Sequence, residues 1–336
     1  MHKSKQLVGL LLSLNKHLKS DSDYMKANYF TSRFPKVSSF IVSLSLLLSA
    51  QAWANFQVED SEGIKTLEAQ PVRVAALNWD IAEQVVELGV TPVAVPDIAG
   101  YTDWVVEPVI PEGVADIGTR TEPNFSVLKK LNPDVILIAS PQKDLQERLS
   151  EIAPVLYYQT YSEQHSNVAA AIDNFKKIGQ LLGKEEQANN KLAAMDERLE
   201  VLKAELDKAY PGDKPKVTSF RFASTTSVYI YGNNSIPQYA LEQLGFENTM
   251  DLPASQWGIS QKRMTELKKV KGGIALYFEP FPYQDKLDRS PVWKSMPFVR
   301  NGQFSPVAAS WSYGGAMSIL YNAEAMAQSL LTLAEQ

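Results

Sequence analysis

Residues 184–210 contain neither glycine nor proline and are rich in Ala, Glu, Lys and Leu. Within them Ala188, Leu192, Met195, Leu199, Leu202 and Leu206 alternate four and three positions apart, which puts one apolar stripe on a single helix. At ~1.5 Å per residue that helix is roughly 37 Å long, enough to cross from one domain to another. The stripe lasts only about three heptads, so a helix docked on its own chain fits it better than a coiled-coil seam to a partner.

The segments on either side alternate strand with helix. Before the rod, residues 72–77, 91–95, 135–139 and 155–158 read as short buried strands, separated by helical patterns at 81–88, 125–131 and 145–152. After it, residues 217–222, 228–231, 274–278 and 304–308 read as strands, with helices at 236–244, 264–270 and 316–333. Such alternation predicts α/β sheets with helices on their faces. The predicted organisation is two α/β lobes, residues 55–183 and 211–336, joined by one long rigid helix over residues 184–210, with a ligand cleft between the lobes.

Residues 1–54 read as a removable leader. An apolar core from Phe40 to Ala50 follows Lys26, Arg33 and Lys36 and precedes Ala52-Trp53-Ala54, a small-x-small cleavage site that predicts a mature start at Asn55. Met25 is an alternative initiator. The apolar run is too short for an ordinary transmembrane helix and nothing later exceeds it, which predicts a soluble mature protein. The chain has no cysteine, so disulfides, thiolate metal sites and a lipoprotein anchor are excluded, and the predicted destination is the periplasm. Loss of the leader removes seven Lys/Arg and two Asp/Glu, leaving 26 against 36 and a net charge of −10. That balance argues against nucleic acid or an anionic membrane surface as partner. His165 is the one histidine beyond the leader, so a protein-ligated metal site is not expected.

Chemistry concentrates in the stretch from Asp116 to Ala139. It places Arg120 in a tight loop between a strand and a helix whose apolar residues Phe125, Leu128 and Leu131 face away from it. A loop arginine at a strand's carboxyl end points to the crevice where α/β sheets bind ligands, or else braces its own loop. The form Asp116-Ile-Gly-Thr-Arg-Thr-Glu-Pro, followed by Leu131-Asn-Pro-Asp-Val, resembles the class III periplasmic binding proteins that serve siderophore and cobalamin importers. Its Arg-Thr-Glu-Pro-Asn core is similar to the ferric-hydroxamate-binding branch of that family.

Further matches to that branch are Ala76-Leu-Asn-Trp79, Tyr101-Thr-Asp-Trp104, Trp257-Gly-Ile-Ser and Ser310-Trp311-Ser-Tyr313-Gly-Gly. The resemblance runs from about Val72 to the last helix. It implies that Trp79, Trp104, Arg120, Trp257, Trp311 and Tyr313 face the ligand, with the arginine and the tyrosine at the iron-chelating oxygens. Physical chemistry agrees: a compact ferric chelate offers delocalised charge and apolar arms, which flat aromatic walls and a forked donor can grip. The iron arrives chelated, so neither a cofactor nor a protein metal ligand is implied. Trp293, inside Pro291-Val-Trp293-Lys-Ser-Met-Pro, reads as packing of its own lobe.

Two departures from the family pattern stand out. Gln142 takes the place of a cleft tyrosine, and a second-lobe tryptophan falls near Met250. Against that loss, Arg221, next to Phe222 at the end of its strand, is either a second cleft cation suited to a siderophore with free carboxylates or a surface arginine paired with a local acid. The resemblance further implies a monomer that docks on an inner-membrane ABC permease through acids such as Glu147 and Glu266. No GxSxG elbow, HExxH, Walker or GxGxxG motif supports an enzyme, although a carboxylate-pair hydrolase remains a competing class. Haem or cobalamin is the competing cargo for the same fold.

Overall fold

The computed structural model describes residues 56–336. The leader, its cleavage site and the choice between Met1 and Met25 lie outside the described residues. An antiparallel hairpin opens the described chain, β1 (Phe56–Asp60) and β2 (Gly63–Leu67).

The first lobe is built on β3 (Val74–Ala76), β4 (Ala94–Val95), β5 (Ala115–Asp116), β6 (Val135–Ile138) and β7 (Val155–Tyr157). Their order is β5-β4-β3-β6-β7 and every pairing is parallel. A parallel sheet covered on both faces needs continuous apolar strands, and all four residues of β6 are buried. The chain leaves β3 towards one edge and β6 towards the other. Their carboxyl ends therefore frame the switch point at which such sheets leave a crevice.

The second lobe holds β8 (Val217–Phe222), β9 (Ser227–Tyr231), β10 (Ile259–Arg263), β11 (Ile274–Phe278) and β12 (Phe304–Val307), in the order β10-β9-β8-β11-β12. β8, β11 and β12 are parallel, while β8 to β9 and β9 to β10 are antiparallel. The register sets Arg221 opposite Tyr229 and Phe222 opposite Val228. Alternation along a strand then puts Arg221 and Phe222 on opposite faces of the sheet.

The long helix runs Glu185–Ala209, and all six residues of its apolar stripe are buried. One apolar cluster extends from Val74 and Val85 through Leu192, Leu199 and Leu206 of this helix to Ala323 and Leu330 of the last helix, Ser318–Ala334. The rod is thus glued along its length to the surfaces it joins. Two smaller clusters fill the remaining sheet faces, one around Ile136 and Ile138, the other around Phe220 and Trp293.

The structure adds elements that the pattern reading did not name. The helix Asn167–Leu181 is capped by Ser166, whose hydroxyl accepts from Ala169 N at 3.2 Å, and it buries Val168, Ala171, Phe175, Ile178 and Leu181. Residues 264–270 form a tight 3-10 helix, Met264–Lys269, and the helix read over 145–152 is confined to Gln146–Ser150. No helix among the described residues is long and apolar enough to cross a membrane.

Candidate functional site

Between the two sheets lies a cleft of about 360 Å³. The first lobe contributes Asn78 and Asp80 after β3, Arg120 after β5, Ala139, Ser140 and Pro141 after β6, and Thr160 and Tyr161 after β7. From the second lobe come Arg221 on β8, Tyr229 on β9, Trp257 and Ile259 at the start of β10, and Trp311 and Tyr313 beyond β12.

Arg120 is held by the loop that the sequence marks. The Asp116 carboxylate accepts from Ile98 N at 2.9 Å and Gly118 N at 2.8 Å, while Gly118 turns the chain at φ +91°, where a Cβ would be strained. Asn124 then caps the helix Phe125–Leu131 through Val127 N at 3.1 Å. The guanidinium lies 3.7 Å from the ring centroid of Trp79 and 5.7 Å from that of Trp311. Burial lowers its pKa, and Asp97 and Asp80 oppose that shift. No carboxylate forms an ion pair with it among the described residues, so its N–H groups are available to a ligand.

The aromatic walls brace one another. Tyr161 stacks on Trp257 at 5.2 Å between centroids, and Tyr313 meets Trp257 edge-on at 5.8 Å and Trp311 at 5.4 Å. Such contacts fix large, flat surfaces at low entropic cost. Burial raises the Tyr313 pKa, so its hydroxyl is a neutral phenol that can donate or accept. Arg221 sits with its guanidinium 4.4 Å from the Tyr229 centroid, and its Nη2 is a long 3.5 Å from the Tyr313 hydroxyl. Its buried Nε has no hydrogen-bond partner, and no acid pairs with it among the described residues.

Asp80 is the only acid lining the cleft among the described residues. Burial pushes its carboxyl up to about 6, opposed by Asn78, Thr160, Ile81 N and Arg120. Asn78 Nδ2 donates to it at 2.6 Å and Thr160 Oγ1 at 3.2 Å. A single carboxylate lacks the partner that a carboxylate-pair hydrolase needs. No cluster of three or more metal-ligating side chains occurs among the described residues.

Several sequence expectations need correction. Gln142 does not face the cleft: it is fully buried, its Oε1 accepts from Ala139 N at 3.3 Å, and its Nε2 donates to Arg120 O at 2.9 Å. The tight 3-10 turn Ser140–Leu145 swings it behind the loop, so it supports Arg120 from the rear. Phe222 lies on the far face of its sheet, stacked on Phe281 at 4.4 Å in the core with Trp293. Trp104 packs half-buried on the first lobe at the end of the helix Ile98–Trp104 and is not among the lining residues. Trp79 is buried under Arg120, its Nε1 donating to Pro96 O at 3.1 Å, and reaches the site through the cation it carries. Met250 packs against the core of the second lobe.

Other expected residues lie outside the cleft. Trp293 is core, 2% exposed, as its setting predicts. Glu147 is exposed on the short helix Gln146–Ser150, and Glu266 pairs with Lys269 at 2.7 Å. His165 Nε2 contacts Thr160 O at 3.0 Å. Sequence reasoning missed Asp80, Tyr161 and Tyr229. Tyr229 was legible in principle, since a hairpin pairing of the strands around 217–222 and 228–231 sets it beside Arg221.

The chain is similar to several known binding proteins. The iron(3+)-hydroxamate-binding protein FhuD of Escherichia coli (strain K12) is 29% identical over 253 residues, 75% of this chain and 84% of that protein. The Fe(3+)-citrate-binding protein YfmC of Bacillus subtilis (strain 168) is 27% identical over 251 residues, 73% of this chain and 76% of that protein. Among solved structures, the Fe3+–Desferal-bound siderophore-binding protein FhuD from Vibrio cholerae superposes with a TM-score of 0.77 at 49% identity, covering 78% of this chain and 98% of that one. Residues 74–306 match the sequence profile of the periplasmic binding proteins, and the chain belongs to that family.

Proposed function

We propose that this protein captures a ferric siderophore in the cleft between its lobes and delivers it to an ABC permease for iron uptake. One observation carries the reading: Arg120 of the first lobe and Tyr313 and Arg221 of the second converge on a single aromatic-walled cleft. Arg120 donates to the chelating oxygens, Tyr313 offers its hydroxyl from the opposite wall, and Trp257 and Trp311 cover the apolar arms. The iron is cargo and keeps its siderophore ligands. The function is binding, as the relatives' names describe for them, and no catalytic step is assigned.

Arg221 narrows the cargo. Arg120 has Asp80 and Asp97 nearby to offset its charge, whereas Arg221 is flanked by the Tyr229 and Tyr313 rings and pairs with no acid among the described residues. Its uncompensated charge favours a ferric siderophore that carries free carboxylates, of the citrate-hydroxamate kind. We further propose that the protein acts as a periplasmic monomer with lobe boundaries at residues 183/184 and 210/211. Glu147 and Glu266 then form part of the surface that meets the permease, Glu147 as the one of the two with no ion pair among the described residues.

A calorimetric panel tests the reading, with ferric hydroxamate, ferric citrate-hydroxamate, ferric catecholate, haem and cobalamin as ligands. Saturable one-to-one binding of the first two, tighter than the rest, is the expected result. Preference for haem or cobalamin would replace the cargo and keep the fold.

A further inference from the structure

Glu83 lies on the helix Trp79–Glu87 of the first lobe and is fully buried. It does not line the cleft. Its partners belong to the second lobe: Oε1 accepts from Ser318 N at 2.9 Å, and Oε2 accepts from Gly315 N at 3.1 Å and Ser318 Oγ at 2.7 Å. Ser318 opens the last helix, where an acceptor also meets the favourable end of the helix dipole. Gly315 lies in the loop that carries Trp311 and Tyr313 and leads into that helix.

The approach is close enough to require glycine. A Cβ on Gly314 would stand 2.3 Å from Glu83 Oε2, and one on Gly315 would stand 2.4 Å from Gln84 Cγ. The same loop is tied at Gly314 O, which accepts from the Tyr161 hydroxyl at 2.7 Å. The helix bearing Glu83 also carries Trp79 beneath Arg120 and Asp80 in the cleft wall. Both halves of the site are therefore referenced to one short helix.

We infer that Glu83 is a positioning residue that pins the Trp311 and Tyr313 loop of the second lobe to the first lobe and so sets ligand affinity without touching the ligand. This rests on the proposed siderophore function. Trp311 stands 5.0 Å from Trp79 across the lobes, so a small drift of the loop separates the wall from the arginine it flanks.

The test compares wild type with Glu83→Gln, which keeps the side chain's shape but turns an amide N–H₂ towards donors, and with Ser318→Ala, which removes a single donor. Each is measured for dissociation of Fe3+–Desferal by stopped-flow tryptophan fluorescence, for amide exchange over residues 310–318, and for thermal midpoint. The expected result for Glu83→Gln is dissociation about tenfold faster, the fold-change for one buried hydrogen bond lost where an amide N–H₂ faces a backbone donor. Faster exchange confined to residues 310–318 should accompany it, with a smaller effect in Ser318→Ala. Unchanged dissociation despite faster local exchange would overturn the inference, as would exchange raised uniformly through the chain. If wild type fails to bind any ferric siderophore, the function is wrong. The exchange pattern would then still report whether Glu83 pins the loop.

Discussion

Replacing Arg120 with alanine removes the one cation that the first lobe presents to the cleft among the described residues. The guanidinium is half-buried, 3.7 Å above Trp79, and free of any ion pair among the described residues. Its cation–π contact is worth about 0.5–2 kcal/mol. Part of that offsets the cost of holding a charge half out of water, so the net loss of fold stability is below about 1 kcal/mol. Binding should suffer more. Losing a charge-assisted hydrogen bond to the chelating oxygens costs about 1.5–3 kcal/mol, roughly a tenfold to hundredfold rise in Kd. Titration of tryptophan fluorescence with Fe3+–Desferal reads this directly, because Trp311 and Trp257 line the cleft. Arg120→Lys keeps the charge but loses the fork and should fall between the two. An unchanged Kd in Arg120→Ala, with an intact melting transition, would show that the arginine only braces its loop.

Arg221→Ala should weaken a ferric citrate-hydroxamate about tenfold while leaving a neutral ferric trihydroxamate within about twofold, since only the free carboxylate meets the lost charge; equal losses in the two titrations would place Arg221 outside the recognition event. Gln142→Ala strands Arg120 O and Ala139 N, costing about 1–3 kcal/mol of stability, so calorimetry should show a melting midpoint lower by several degrees. Stability should fall as pH rises from about 4 to 8, because burial raises Asp80 from 3.8 to about 6 and Glu83 from 4.5 to about 8. In that window the unfolded chain releases protons that the folded chain still holds. Glu62 acts oppositely: Lys143, then Gln146 and Lys65, lower it to about 2, so its contribution is present above 4.5 and is lost as pH falls towards 2. Urea denaturation across pH should show a shallower decline in Glu83→Gln, and an unaltered slope would refute the assignment to Glu83.

The parts of the fold most legible in the sequence were those set by periodicity and by chain-local turns. The stripe from Ala188 to Leu206 is a helix because six apolar side chains at four-and-three spacing have one face to bury, and β8 and β11 occupy the stretches read as strands. Arg120 was legible for the same reason, since Gly118, Pro123 and Asn124 dictate the loop around it. What failed depended on parity or on distant chain. Phe222 and Arg221 are neighbours in sequence, yet only the sheet register decides which one meets the cleft. Gln142 was misplaced because a 3-10 turn rotates it inward, where its amide satisfies two buried backbone groups. Asp80 and Glu83 gave no local signal. Asp80 is closed over by Thr160 from a distant part of its own lobe, and the Glu83 partners Gly315 and Ser318 come from the second lobe, so neither burial is written in the local sequence.

In the proposed complex a ferric siderophore sits in the cleft with its chelating oxygens on Arg120. The most direct measurement is a crystal structure of the protein with Fe3+–Desferal, with the iron located by its anomalous scattering. One iron peak is expected inside the cleft, with a chelating oxygen within about 3 Å of an Arg120 guanidinium nitrogen, Tyr313 on the opposite side, and no protein atom bonded to the metal. An iron peak outside the cleft, or one ligated directly by protein side chains, would contradict it.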